Sequence, residues 1–156
     1  VYEEIAKLPT KQLRRAARAK YRDSVLKLSP GVTFVDRSEF DEIEEKVRLL
    51  ELPVYRLRTD GPDYREDFFD CVRADFPQDP VLVSSRSWDA LVDSVRNGLH
   101  ESPEARFAIL WPDSSGMREH APEEFETAVI VLDQIAGNLA DPRWGRTRTF
   151  SVFVGS

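Results

Sequence analysis

Apolar residues along this chain recur at two spacings, and the spacing changes from segment to segment. Trp88, Leu91, Val92, Val95 and Leu99 fall at i, i+3, i+4, i+7 and i+11, the stripe of a helix that turns one face to a core. Tyr64, Phe68, Phe69, Val72 and Phe76 make a second stripe, and Phe40, Ile43, Val47 and Leu50 a third, opened by Ser38 and Asp41 as a capping box. From Phe125 through Ala128, Val129, Val131, Leu132, Ile135 and Leu139 the apolar positions cover much of the circumference, so this helix is the most deeply buried. Pro122 suits its first turn, Glu123 and Glu124 complement its dipole, and Gly137 and Asn138 end it or lie near its end. A basic amphipathic helix begins after Thr10, with Leu13, Ala17, Tyr21, Val25 and Leu26 near one side.

Between these stripes lie strands. Residues 32–36, 53–58 and 147–154 are rich in β-branched and aromatic side chains and are bounded by turn formers. Residues 107–111 are apolar without interruption, which predicts a strand buried on both faces and therefore parallel to its neighbours. Strands alternating with helices imply an α/β fold with a mainly parallel sheet of three to four strands. Residues 52–156 form the main domain, and residues 1–51 an extension packed on it that adds an edge strand and up to two covering helices.

Charge changes the picture more by its distribution than by its total of −6. Residues 1–30 hold eight Lys or Arg against three acids, a net of +5, so the remainder carries −11. An acidic body repels nucleic acid and attracts basic proteins, chiefly by speeding their association. No apolar run approaches the length of a membrane span, and the first residues lack the pattern of a secretory leader. A lone cysteine, Cys71, excludes an internal disulfide framework and a cysteine-based metal site. It sits at the edge of a helical stripe, as a small core residue does, and a cytoplasmic setting is expected.

The 88–99 helix also carries Asp89 and Asp93, four residues apart and hence on one face. Asp89 follows a Ser87 cap and is explained by the helix dipole. Asp93 lies a turn too far along for that. Arg86 and Arg96, each three residues from the pair, are the candidates to neutralise it.

The run Trp88-Asp89-Ala90-Leu91-Val92-Asp93, followed by a strand ending in Trp111, a long helix and a last strand, resembles the barstar family of ribonuclease inhibitors over about residues 52–156. The resemblance implies a three-layer fold and a partner surface without cofactor or metal. Its loop part is Val83, Ser84, Ser85 and Ser87; its helix part is Trp88, Asp89, Val92, Asp93 and Arg96. Gln134 stands where the best-known member carries a glutamate. The partner implied is a basic ribonuclease bound one-to-one by a monomeric inhibitor, with Asp93 deepest in the nuclease pocket, mimicking a phosphate. The loop departs from the family in lacking aromatic, Gly and Asn residues, and its Arg86 has the wrong sign for a basic pocket.

Two other readings follow from the residues. A protein-binding module on the same fold would have a different target. A phosphoryl-transfer enzyme would hold Mg2+ on Asp36, Asp60 and Asp113, each of which follows a predicted strand. No Gly-rich phosphate cradle accompanies them. His100 and His120 fall in predicted loops and read as surface residues, and direct nucleic-acid binding lacks an aromatic platform.

Overall fold

Five consecutive apolar residues leave a strand no wet face, and residues 107–111 are all fully buried in β3 (Arg106–Trp111). The computed structural model describes residues 28–156; the basic helix expected after Thr10 lies outside them. Within them β3 belongs to a four-stranded sheet with β1 (Gly31–Val35), β2 (Val54–Arg56) and β4 (Thr149–Gly155), in the order β1-β4-β3-β2. All pairings are parallel: Val32 lies opposite Val152, Phe107 opposite Phe150, and Tyr55 opposite Ile109. Parallel neighbours require long crossovers. These are α1 (Arg37–Leu49), α2 (Tyr64–Asp75), α3 (Trp88–Glu101), α4 (Ser115–His120) and α5 (Pro122–Ala140), followed by a 3-10 turn at Pro142–Trp144.

Side chains alternate across the sheet. Phe107, Ile109 and Trp111 of β3 and Phe150, Val152 and Val154 of β4 join one core with α2, α3 and α5. Ala108 and Leu110 point the other way, where Phe40 and Val47 of α1 are buried outside that cluster. The result is the expected three layers, with α1 alone among the described helices on the second face. β1 is the edge strand beside β4, as expected for residues 32–36.

Three local expectations need correction. The first concerns α1, which starts at Arg37, so Ser38 and Asp41 do not form its cap; the N–H of Glu39 bonds the Asp36 carbonyl at 2.9 Å instead. The chain turns into α1 directly from β1, so backbone closes the first turn before a side chain is needed. A second difference is β2, which has three residues where six were expected. The third is α4, a helix ending at His120 where a loop was expected. Met117, fully buried, anchors it, and Ser114 ties its start to the end of β4 through two bonds to the Gly155 carbonyl.

The fold positions α3 with little freedom. Leu91, Val95 and Leu99 are fully buried and Val92 is 3% exposed; each such side chain contributes about 1.5–3 kcal/mol. At Gly98 the preceding loop crosses so closely that a Cβ would overlap the backbone of Pro77 and Gln78. Gln78 fastens that loop: its Nε2 donates to the carbonyls of Val72, Arg73 and Phe76, and its Oε1 accepts from Leu82 N–H. The outer face of α3 is therefore presented by a rigid support.

Candidate functional site

Ser87 caps α3 as expected, its hydroxyl accepting from Ala90 N–H at 3.1 Å. Asp89 stands in the first turn and Asp93 one turn on, and both are exposed, Asp93 with 61% of its side chain in solvent. Arg96 donates from Nη2 to Oδ1 of Asp93 at 3.0 Å, and from Nη1 to Asn138 of α5 at 3.3 Å. Only 14% of the Arg96 side chain is exposed. Oδ2 of Asp93 accepts no hydrogen bond among the described residues. Arg86 takes no part in neutralising the pair, since among the described residues it makes no ion pair; its N–H donates to Ser84 Oγ.

Sequence reasoning missed what orders the loop before α3. Arg65 of α2 donates from Nε to the Ser85 carbonyl at 2.7 Å and from Nη2 to the Arg86 carbonyl at 2.6 Å. Its guanidinium also lies over Phe69 and Trp88, 5.5 and 5.2 Å from their ring centres. Trp88, half-buried, packs against Phe68 and Phe69 at 5.4 and 4.8 Å. Trp88 and Val92 thus hold the helix, while Val83 is 89% exposed at the loop tip. Ser84 is exposed and Ser85 half-buried beside it; Gln134 is exposed on α5. A groove of about 480 Å³ between α2 and this loop has Arg65, Arg73 and Arg86 on its walls beside Asp63 and Glu66, with Glu66 paired to Arg73. Arg65, 20 residues or more from the carbonyls it binds, leaves no local signal in the sequence.

The three aspartates proposed for Mg2+ do not converge. Asp36 follows β1 and Asp60 follows β2, the opposite edges of the sheet, three strand spacings or about 14 Å apart. Asp113 is occupied by Ser115, whose hydroxyl and N–H hold its carboxyl below the usual carboxylate range. Among the described residues no three His, Cys, Asp or Glu side chains come together to hold a metal. Cys71 accepts from Arg58 N–H, and burial pushes its thiol up, away from the reactive thiolate. No helix among the described residues is long and apolar enough to cross a membrane.

His100 departs from the surface role expected of it. Its Nδ1 lies 3.3 Å from Nη1 of the buried Arg148 and accepts that donor only as a neutral imidazole. Desolvation, then the charges of Arg148 and Arg96, hold its pKa below the ordinary 6.5. The unfolded chain takes this proton near that ordinary value and the folded chain resists it. Stability is complete above it and falls as pH drops towards the folded pKa, by at most about 1.4 kcal/mol per unit for one proton. Urea unfolding of the wild type and His100→Gln across pH 5 to 8 is expected to show this acid-side component only in the wild type.

Fold and site together define an α/β protein whose parallel sheet supports a solvent-facing helix with paired carboxylates. The chain belongs to the barstar family, described as Barstar (barnase inhibitor), which matches residues 52–155. That family is one of inhibitors, not of enzymes. No curated protein and no solved structure gives a significant match. The matched span begins after α1, yet β1 ahead of it pairs with β4 along five residues.

Proposed function

We propose that this protein inhibits a barnase-type ribonuclease by occupying its active site with α3, the carboxylates of Asp89 and Asp93 standing in for RNA phosphates. The observation that carries this reading is Asp93, exposed, fixed through Oδ1 by Arg96, with Oδ2 open to a partner. A site that grips phosphates is lined by Arg and Lys, and a carboxylate offers a guanidinium fork the same two-oxygen acceptor. Val83, Ser84, Ser85 and Ser87 supply the loop contact, Arg96 the brace and Gln134 a contact from α5. Trp88 and Val92 act through packing. The complex is one-to-one, formed by a monomer, and needs neither cofactor nor nucleic acid. Such a protein serves as an immunity or antitoxin protein in the cytoplasm. Residues 1–51 are an extension of the inhibitor domain at 52–156.

The test is a titration of barnase-catalysed RNA cleavage with the full chain. Activity is expected to fall linearly to zero at one equivalent. The association rate should drop with added salt, because opposite charges steer the encounter. Cleavage that continues unchanged with the chain in large excess overturns the proposal.

A further inference from the structure

Along α5, Ile130, Gln134 and Asn138 recur every four residues and lie in one row. The bond from Arg96 to Asn138 shows that this row faces α3. Asp89, Asp93 and Arg96 form the facing row, so the two helices bound a shallow furrow with acids on one bank and Ile130 on the other. At its end Trp144, in the turn after α5, lies over Arg96 with 4.4 Å between guanidinium carbon and ring centre. Among the described residues the exposed large apolar side chains are Phe34, Val81, Val83, Ile130 and Trp144. All but Phe34 border this furrow or the loop that leads into α3.

We infer that the partner surface extends beyond α3 and its loop along this furrow to Trp144, which anchors the far side of the same basic nuclease. The inference rests on the inhibitor reading and adds to it. Arg96 covers one face of the indole and ties it to Asp93, so a partner arriving at Asp93 meets a ring already held in place. Trp144 is 47% exposed. An aromatic side chain fixed before binding loses little freedom in the complex, which is what makes such residues strong anchors. Contacts run without a break from Asp93 through Arg96 to the indole, so the protein that takes Asp93 is the one that reaches Trp144.

The experiment compares full-length wild type, Trp144→Ala and Trp144→Phe in the barnase titration, with thermal unfolding of each free chain. Trp144→Ala is expected to weaken binding by roughly tenfold to a hundredfold, Trp144→Phe to recover most of it, and all three to unfold at similar temperatures. Hydroxyl-radical footprinting should show Trp144 protected in the complex. Wild-type inhibition with Trp144→Ala equally tight overturns this inference and leaves the inhibitor reading standing. Absence of wild-type inhibition removes both. A concentration-dependent dimer of the free chain that Trp144→Ala dissolves would assign the surface to a second copy and overturn the inference as well.

Discussion

Asp93→Ala will weaken inhibition of barnase by about two to four orders of magnitude while leaving the inhibitor as stable as before. In a buried charge pair, removing one member costs about 2–5 kcal/mol or more, because the opposite charges stay desolvated and unpaired. Here the loss is compounded. Arg96, released from Oδ1, adds an unopposed positive charge beside the point where a basic partner docks. The free protein loses an ion pair in which Asp93 is 61% exposed and Arg96 keeps its bond to Asn138, worth about 0.2–1 kcal/mol. Asp113→Ala, a substitution at a carboxylate engaged by Ser115 at the end of another strand, should leave inhibition unchanged. The measurement is the inhibition constant of each variant alongside its urea midpoint. Equal constants for Asp93→Ala and the wild type would remove Asp93 from the interface.

Trp111→Ala carries the largest expected loss of stability. The indole is fully buried and packs edge-on to Phe68 and against Phe125, each at 5.5 Å. Its Nε1 donates to Thr59 Oγ1 at 3.0 Å, inside the core. Truncation removes about 3–5 kcal/mol of packing and leaves the Thr59 hydroxyl without its partner, about 1–3 kcal/mol more. Against a total of about 5–15 kcal/mol for an ordinary domain, that is enough to populate the unfolded chain. The damage reaches the site as well. Phe68 stands between Trp111 and Trp88, so a hole at Trp111 loosens the first turn of α3 that carries Asp89. Trp111→Phe, which keeps much of the ring but still orphans Thr59, should fall between. Denaturant unfolding checks both; a Trp111→Ala midpoint equal to that of the wild type would contradict the packing.

Sequence periodicity by itself determined the strand–helix alternation, the fully buried β3, the Ser87 cap and the shared face of Asp89 and Asp93. These are local properties, set by which residues lie within a turn or a pleat of one another, and they are written in spacing. The local code failed where a short element has too few residues to show a period, as in α4, and where backbone replaced a side-chain cap, as at α1.

Only the tertiary structure decided which groups meet. Arg86 and Arg96 are equally placed in sequence around the acid pair, yet Asn138 and Trp144 from beyond α3 hold Arg96 at Asp93. Arg65 binds the backbone at Ser85 and Arg86. Strand order placed Asp36 and Asp60 at opposite edges of the sheet and so dissolved a metal site that chain order had suggested. Trp144, unremarkable in a turn, became part of the candidate surface because α5 ends beside α3. Pairings of this kind depend on how elements pack, and no spacing along the chain encodes them.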